Sequence, residues 1–397
     1  MELAGKSIVL GLTGGIACYK AAELARGLVK QGASVQVVMT QAAMHFITPV
    51  TMQALTGKPV HFDQWDARIP NNMPHIDLTR DADAIVVAPC SADFISKLVH
   101  GGCDDLLSTL CLARPSTLPL LVAPAMNVEM WENPATVRNV RQLEQDGIAV
   151  LGPDVGDQAC GETGMGRMLE PEDLVEEICA AFQPKLLRGK RVLVTAGPTF
   201  EPIDPVRGIT NLSSGKMGYA IARAARAAGA EVMLVSGPTA LTTPAGVQRI
   251  NVQTAEQMYD VVMSHIDTQD VFVAVAAVAD WRVANLSEQK IKKTADDAFP
   301  KLEFALNPDI LAEVAALPNK PYCVGFAAES ENLLQNGAAK RQKKGVPLLV
   351  GNIGHHTFGK DQNELVLFDE KGHTQLPLAD KQQLAHQLVA EIAKRLA

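Results

Sequence analysis

The 397-residue sequence predicts an α/β protein made of two doubly wound, Rossmann-like domains. The main observation is that a strand, a glycine-containing turn, a helix and a second strand occur in this order twice, at 6–40 and at 190–237. In parallel sheets such a turn holds phosphate groups at the N-terminus of the helix. Because the two units lie in different halves of the chain, each is expected to belong to a domain with its own ligand.

The first unit begins with an apolar strand at 8–10 and a turn at 13–17. The helix that follows is expected to bury residues spaced i, i+4, i+7, i+8 and i+11, namely Ala17, Ala21, Leu24, Ala25 and Leu28. Gly32 ends the helix, and 35–39 is the second strand. This spacing places one apolar face of the helix against a sheet.

The second unit has the same order with a longer turn. A buried strand at 192–195 is bounded by Gly197 and Pro198, and a glycine-rich segment follows at 211–218. The next helix is expected to bury Ala220, Ala224, Ala227 and Ala228. Gly229 closes that helix, and 232–235 forms the next strand.

The composition excludes several classes of protein. A net charge of −8 without a basic stripe argues against nucleic-acid binding. The longest apolar run, 271–279, is shorter than the roughly 20 residues needed to cross a bilayer, so it is expected to be a buried central strand. Seven scattered cysteines without a CxxC pair predict neither disulfides nor a zinc site. With no signal-like N-terminus, we expect a cytoplasmic protein without membrane partners.

Several polar residues of the first half follow expected strands, at the sheet edge where α/β proteins bind ligands. Thr40 could contact a phosphate or cap a helix, and Asn127 could bind a carboxylate or cap one. His75 follows a loop-like stretch at 61–74. Cys160 lies in 156–167, a segment with four glycines that is expected to be a mobile loop over a substrate.

The motifs of the first half resemble the flavin-dependent cysteine decarboxylase family. They are GGIA at 14–17, the Met-Pro before His75, PAMN at 124–127 and ACGETGMGR at 159–167. The resemblance implies an N-terminal flavodoxin-like flavoprotein domain, bound FMN and 4′-phosphopantothenoylcysteine as substrate. The implied FMN contacts are Gly14, Gly15, Ile16, Ala17, Thr40, Ser91 and Met126. Cys90 stands where many relatives carry alanine, and we interpret it as a packing change.

The same resemblance implies catalytic roles for three residues. In the implied reaction, FMN oxidises the thiol end of the substrate to a thioaldehyde. The loss of carbon dioxide then produces an enethiolate. His75 would act as a base or an electrostatic partner early in this sequence. Asn127 would hold the carboxylate, and Cys160 would donate the proton for the final reduction.

The second half resembles the phosphopantothenate–cysteine ligase family. The motifs are TAGPTFEPIDPVR at the start of 195–218, AAVADW at 276–281, KIKK at 290–293, NPDI at 307–310 and GFAAE at 325–329. This implies a C-terminal nucleotide-binding ligase domain that uses CTP with Mg²⁺ to join L-cysteine to 4′-phosphopantothenate through an acyl-cytidylate. The two domains in this order resemble the bacterial bifunctional family of coenzyme A biosynthesis, in which ligation comes first.

Within the ligase half, Lys290 and Asn211 are implied as catalytic residues, and Asp280 as a ribose or magnesium contact. The implied CTP contacts are Ala276, Asp280, Lys290, Asn307, Pro308, Asp309, Ile310, Phe326, Lys340 and Lys344. Lys340 and Lys344 are four residues apart and would share a helix face. Judged by local pattern alone, Lys290 could belong to a solvated charge run, Asn211 could be a turn residue, and the histidines of 354–357 are expected at the surface.

A basic, proline-containing linker at 183–190 divides the chain into expected domains 1–186 and 187–397. A flavin-binding regulatory protein is disfavoured by the presence of His75, Asn127 and Cys160. A nicotinamide-dependent oxidoreductase is disfavoured because neither turn is GxGxxG and no acidic residue ends the second strand of either unit. By resemblance, the flavin domains form trimers and the ligase domains form dimers, giving a homo-oligomer that is expected to be a dodecamer.

Overall fold

The computed structural model describes residues 1–66, 73–292, 301–329, 332–353 and 360–396. The chain divides into two compact units, Met1–Phe182 and Gln183–Ala397. This division falls four residues before the expected boundary, at the start of the predicted linker. Lys293 and the histidines at 355 and 356 lie outside the described residues.

The N-terminal unit has seven described strands, five of which form a parallel sheet with helices on its faces. Its strands are β1 (Ser7–Leu12), β2 (Ser34–Met39), β3 (Ala84–Cys90), β4 (Leu120–Pro124), β5 (Ala149–Val150), β6 (Asp154–Asp157) and β7 (Thr163–Arg167). The sheet has the order β2-β1-β3-β4-β5, while β6 and β7 form a separate antiparallel pair. This strand order is that of flavodoxin-like proteins, as predicted.

Eight helices are described in this unit: α1 (Cys18–Lys30), α2 (Pro49–Thr56), α3 (Pro74–Arg80), α4 (Ala92–His100), α5 (Leu106–Ala113), α6 (Val128–Glu132), α7 (Pro134–Gln145) and α8 (Pro171–Ala181). Helix α1 buries four of the five predicted residues, Ala21, Leu24, Ala25 and Leu28, together with Cys18. Ala17 is only half-buried because it is the N-cap residue. The apolar face of α1 packs into one of two clusters on either side of the sheet.

The C-terminal unit has twelve described strands, eight of which form a larger sheet. Its strands are β8 (Arg191–Ala196), β9 (Phe200–Pro202), β10 (Gly208–Thr210), β11 (Glu231–Ser236), β12 (Gln248–Asn251), β13 (Val271–Ala274), β14 (Trp281–Val283), β15 (Phe304–Leu306), β16 (Tyr322–Glu329), β17 (Leu348–Ile353), β18 (Gln362–Asp369) and β19 (Gly372–Asp380). The order β12-β11-β8-β13-β16-β17 is parallel, and β18 and β19 extend it antiparallel, while β9–β10 and β14–β15 are separate pairs. The six parallel strands have the Rossmann order 3-2-1-4-5-6, which agrees with the predicted fold class.

The helices described in this unit are α9 (Lys216–Ala227), α10 (Ala255–His265), α11 (Ile310–Ala316), α12 (Leu333–Lys344) and α13 (Lys381–Leu396). Helix α9 buries the predicted Ala220, Ala224 and Ala227. It lies very close to β8 at Gly218, where an added Cβ would be 2.5 Å from the Cβ of Ala196. Glycine is therefore required there so that the start of α9 can approach the end of β8.

Two predicted elements differ from the structure. The apolar run 271–279 is a central strand only over Val271–Ala274, and 275–279 leaves the sheet as a loop. The glycine-rich segment 156–167 was expected to be a mobile loop, but it contributes to the β6–β7 hairpin. Strand pairing through backbone groups does not require apolar side chains, so the sequence pattern gave no signal for this hairpin. Among the described helices, none is long and apolar enough to span a membrane.

Candidate active sites

The first site lies where the order of the N-terminal sheet reverses, between β1 and β3. Thr13 follows β1, and its hydroxyl donates to the Pro89 carbonyl at 2.8 Å and accepts from the Ser91 N–H at 2.9 Å. A cavity of about 470 Å³ is lined by the turns that follow β1, β3 and β4 and by the β6–β7 hairpin. Such a switch point is the usual ligand position in open α/β sheets.

The lining of this cavity suits a flat aromatic cofactor with a phosphate group. Its apolar side chains include Ile16, Tyr19, Met126, Met130 and Met168. The N-terminus of α1 lines it too, and among the described residues α1 has no capping side chain and no acid in its first turn. The first three N–H groups of α1 donate to the carbonyls of Gly15, Ile16 and Ala17, so the helix start offers a phosphate its positive dipole end. These properties fit FMN.

Six of the seven expected FMN contacts line the cavity: Gly14, Gly15, Ile16, Ala17, Ser91 and Met126. Thr40 is not among the lining residues, and its hydroxyl accepts the Ala43 N–H at 3.2 Å. The short 3₁₀ helix that follows, Ala43–His45, has Ala42 as its N-cap and no side-chain cap, so this bond closes a turn and is not the capping role considered for Thr40. Cys90 is fully buried in β3, and burial raises the pKa of its thiol well above the ordinary value, as suits a packing residue.

The oxygen and the nitrogen of the Asn127 amide make different contacts, and of the two roles considered for this residue the structure shows the cap. Its Oδ1 accepts the Met130 N–H at 3.1 Å and so caps α6. Its Nδ2 lies on the cavity side of this cap and donates to Glu162 Oε2 at 3.2 Å. Since the cap uses only the oxygen, the amide N–H groups can serve a ligand without disturbing the helix.

Cys160 lines the same cavity, at the tip of the β6–β7 hairpin. Its exposed thiol donates to Glu162 Oε2 at 3.3 Å and lies 3.8 Å from Gln158 Oε1. Gln158 anchors the tip, because its Oε1 accepts the Val128 N–H at 2.9 Å and its Nε2 donates to the Met165 carbonyl at 3.1 Å. The hairpin therefore holds the thiol beside Asn127.

His75 is the second residue of α3 and is half-buried. It is not among the residues that line the cavity of its own chain. The structure thus brings Asn127 and Cys160 together but leaves His75 outside their cavity.

A second cavity, of about 230 Å³, lies at the corresponding switch point of the C-terminal sheet, between β8 and β13. It is lined by Gly197 after β8, by 275–278 after β13 and by the segment 213–218 that leads into α9. Gly215, with φ of 77°, is the N-cap of α9, and no side chain in the described residues caps this helix. The α9 N-terminus is therefore suited to an anion.

Two lysines line this second cavity. Lys216 pairs with Asp361 at 2.6 Å, and this ion pair lowers the pKa of Asp361. Lys381, the first residue of α13, is 8% exposed and donates to the Lys360 carbonyl at 2.5 Å. Burial lowers the pKa of Lys381, and the nearby Lys216 charge lowers it further. An anion between these two lysines would offset both effects.

Asn211 forms a turn at the entrance to this glycine-rich segment. Its Nδ2 donates to the Ala277 carbonyl at 2.6 Å, and its Oδ1 accepts the Ser213 N–H at 3.0 Å. The turn role considered from the sequence is therefore present. The bond to Ala277 also joins the α9 loop to the loop after β13, so it helps to shape the cavity.

Ala276 and Phe326 are the two expected CTP contacts that line this cavity. Several of the others lie in three separate pairs outside the cavity, called the neighbouring network below, and in the first pair the Asn307 N–H donates to the Asp280 carbonyl at 2.9 Å. Asp309 caps α11 through the Ala312 N–H and pairs with Lys344. On the same helix α12, Lys340 pairs with Glu329 at 2.6 Å.

Lys290 is exposed, and the segment that carries it is fastened to the loop before β10. The buried Asp204 carboxylate accepts the Ile291 N–H at 3.1 Å, and Arg207 donates to the Ile291 carbonyl at 3.0 Å. The Arg207 side chain holds the pKa of Asp204 well below its usual range, so this carboxylate stays charged. Asp280 is also exposed, and the described residues contain no group of three or more possible metal ligands.

Sequence reasoning did not identify Glu162, Lys216 or Lys381 as site residues. Glu162 lies inside the motif at 159–167, and Lys216 lies inside the glycine-rich segment at 211–218. The charge of each residue next to a glycine was the available signal. Lys381 is far along the chain from the α9 loop, and no local pattern marks it.

Comparison with known proteins assigns a different family to each half of the chain. Residues 1–183 match the Flavoprotein family, and residues 187–396 match the DNA/pantothenate metabolism flavoprotein C-terminal domain family. The chain is 49% identical to the coenzyme A biosynthesis bifunctional protein CoaBC of Vibrio cholerae, over 97% of each chain. It is 46% identical to the CoaBC protein of Escherichia coli, over 100% of this chain and 98% of that one. A crystal structure of a CoaBC C-terminal domain is 38% identical over 53% of this chain and 98% of that chain, with a TM-score of 0.46.

Proposed function

The chain belongs to the family of coenzyme A biosynthesis bifunctional proteins, and from this membership we propose how its two units share the work. It is a bifunctional ligase and decarboxylase. The C-terminal unit joins L-cysteine to 4′-phosphopantothenate, and the N-terminal unit decarboxylates the resulting 4′-phosphopantothenoylcysteine. The observation that carries this assignment is that each unit has its own cavity at its own sheet switch point. The free thiols of all seven cysteines support a cytoplasmic location.

In the N-terminal unit, FMN would be held by the α1 turn from Gly14 to Ala17, by Ser91 and by Met126. When bound, FMN supplies the oxidation and reduction chemistry that a carboxylate without an electron sink requires. Asn127 would orient the substrate carboxylate through its amide group, which donates to Glu162 Oε2 in the structure. The Cys160 thiol would hold a proton at the hairpin tip, opposite the helix N-termini.

In the C-terminal unit, the cavity at the α9 N-terminus would bind the 4′-phosphate of phosphopantothenate. Uncapped backbone N–H groups, Lys216 and the buried Lys381 together provide the donors that a phosphate prefers. The substrate carboxylate would then point along the loop after β13 toward the neighbouring network, which includes Asp280.

CTP would bind at that network, with Asn307 to Ile310, Lys340 and Lys344 as contacts. Both lysines are paired with carboxylates, so a triphosphate would replace Glu329 and Asp309 as their partners. Mg²⁺ usually binds through phosphates, water and one or two carboxylates, so Asp280 can serve it without a preformed metal cluster. Lys290 would stabilise the charge that develops as the carboxylate attacks the α-phosphate.

The direct test is to incubate the purified protein with 4′-phosphopantothenate, cysteine, CTP and magnesium and to identify the products by mass. We expect 4′-phosphopantetheine, carbon dioxide, CMP and pyrophosphate. Formation of 4′-phosphopantothenoylcysteine without carbon dioxide, in protein that contains flavin, would contradict the proposed N-terminal activity.

Replacing Lys290 with glutamine should lower kcat/KM for CTP about 10- to 100-fold, because a charge-assisted contact to the reacting triphosphate is lost. Steady-state assays of pyrophosphate release measure this change. Lys292→Gln is a matched control, since it removes the same charge from the same exposed segment and should have little effect. Decarboxylation of added 4′-phosphopantothenoylcysteine should be unchanged in both variants. If the two variants had the same kinetics with CTP, Lys290 would be part of a solvated charge run without a specific contact to CTP.

Replacing Lys381 with methionine should raise the KM for 4′-phosphopantothenate about 10- to 100-fold while changing the KM for CTP little. The reason is that Lys381 lines the phosphate cavity, whereas the proposed CTP contacts lie mainly in the neighbouring network. Lys394→Met removes the same charge from the far end of α13 and serves as the control. If the KM for CTP rose more than the KM for 4′-phosphopantothenate, the proposed positions of the two substrates would be wrong.

We also propose the oligomer, with trimers of N-terminal units, dimers of C-terminal units and hence a dodecamer. Exposed apolar side chains support association of the C-terminal unit, because Trp281, Phe304 and Leu306 on the β14–β15 pair are 58, 57 and 74% exposed. In the N-terminal unit, the position of His75 outside the cavity of its own chain supports a site completed by another copy.

A further inference from the structure

Glu162 lies between the two residues that are proposed to handle the substrate's carboxylate and its final proton. A single oxygen, Glu162 Oε2, accepts both the Asn127 amide at 3.2 Å and the Cys160 thiol at 3.3 Å. The other end of the Asn127 side chain is committed to capping α6. Thus a carboxylate of the protein already stands at the amide group that is proposed to bind the carboxylate of the substrate.

Two carboxylates cannot share this position at low cost. A substrate carboxylate on the Asn127 amide would lie within a few ångströms of Glu162, and like charges at that distance repel. Glu162 is the group that can leave, because it is exposed at the tip of the β6–β7 hairpin. The adjacent Gly161, with φ of 88°, allows the backbone of the tip to change direction.

We propose that Glu162 takes the place of the substrate carboxylate while the site is empty, and that an incoming carboxylate displaces it. The displacement also removes one acceptor of the Cys160 thiol and leaves Gln158 Oε1, at 3.8 Å, as the other, so the contacts of the thiol change only when an acid is bound. Glu162 is then a residue that determines specificity, since it competes with acids and not with the decarboxylated product. This inference rests on the proposed decarboxylase function of the N-terminal unit.

The test compares two ligands that differ by one carboxylate, 4′-phosphopantothenoylserine and 4′-phosphopantothenoylethanolamine. Both lack the thiol that is oxidised, so neither turns over. Binding to the flavin-loaded protein is followed through the visible spectrum of the flavin, so that the C-terminal unit does not contribute to the signal. Glu162→Gln keeps the size of the side chain and removes its charge. Glu129→Gln, which alters an exposed carboxylate on the neighbouring α6, is the matched control.

We expect Glu162→Gln to bind the serine ligand about five- to tenfold more tightly than the wild type, because the competing charge is gone. The ethanolamine ligand should change less than about twofold, and Glu129→Gln should change neither affinity. In the empty flavin-loaded protein, alkylation of Cys160 by iodoacetamide, located by mass spectrometry, should be faster in Glu162→Gln than in the control. This second measurement reports the loss of the carboxylate charge beside the thiol, which favours the reactive thiolate.

Unchanged or weaker binding of the serine ligand by Glu162→Gln would overturn the proposal. Equal tightening of both ligands would overturn it as well, because the effect would then not depend on the ligand carboxylate. If neither ligand perturbed the flavin of the wild-type protein, the proposed function of this cavity would fail and the inference with it. The flavin absorbance of each purified variant shows whether the cavity has formed.

Discussion

Replacing Cys160 with alanine is expected to stop the N-terminal reaction after carbon dioxide has been lost. Alanine has no proton to give, whereas Asn127 keeps its cap on α6 and the hairpin keeps its anchor through Gln158. The variant should therefore release about one carbon dioxide per flavin and accumulate a product two hydrogens lighter than 4′-phosphopantetheine. Formation of 4′-phosphopantetheine itself should fall at least about a thousandfold, because a catalytic group is absent.

Single-turnover mass spectrometry measures the product, and the visible spectrum of the flavin should remain bleached after the turnover. Cys103→Ala is the matched control, because Cys103 is the other exposed cysteine among the described residues and does not line the cavity. Wild-type rates of 4′-phosphopantetheine formation would exclude Cys160 as the proton donor. A complete absence of carbon dioxide would instead assign Cys160 to the first half of the reaction.

Replacing His75 with asparagine is expected to reduce carbon dioxide release at least about a thousandfold, while CTP-dependent ligation continues at the wild-type rate. The two activities separate because His75 belongs to the N-terminal unit and the ligase motifs to the other. Carbon dioxide release and pyrophosphate release, measured on the same preparation, report the two activities. Loss of both would contradict the assignment of one activity to each unit.

A mixing experiment shows which copy His75 serves. If His75 completes the cavity of a neighbouring copy, coexpressed His75→Asn and Cys160→Ala chains should form some sites with both residues intact. If the two chains are made in equal amounts and assemble at random, about a quarter of the sites should have both residues intact. Each site then takes His75 from one chain and Cys160 from another across a head-to-tail interface, and each is intact in half of the chains. If His75 serves its own chain, no mixed site is complete and 4′-phosphopantetheine formation stays at the level of the single variants.

Local patterns in the sequence were sufficient for the strands and helices around each glycine turn. The spacing of Ala21, Leu24 and Leu28 has one physical cause, the burial of one helix face, and the structure shows that face buried. The length of the strand expected at 271–279 was overestimated, because the sequence does not distinguish apolar residues that line a cavity from apolar residues that fill a core. Only Val271–Ala274 has a partner strand on both sides.

The sites were less accessible to such reasoning, because their contacts join distant parts of the chain. The bond from Asn127 to Glu162 spans 35 residues and has no period that a pattern could reveal. Lys381 meets the α9 loop only because β18 and β19 return the chain to the sheet edge. For Asn127 the sequence left two roles open; the structure shows the cap through the oxygen, and the binding of a substrate carboxylate by the amide nitrogen stays a prediction.

The antiparallel extension by β18 and β19 has a consequence for the order in which the two sites form during synthesis. The residues that line the N-terminal cavity end at Met168, whereas the second cavity is incomplete until Lys381 has been added. At ribosomal speeds of about 5–20 residues per second, the two events are separated by roughly 10–40 s. A nascent chain can therefore enclose its flavin while it is still attached to the ribosome and before it can make the compound that the flavin site consumes.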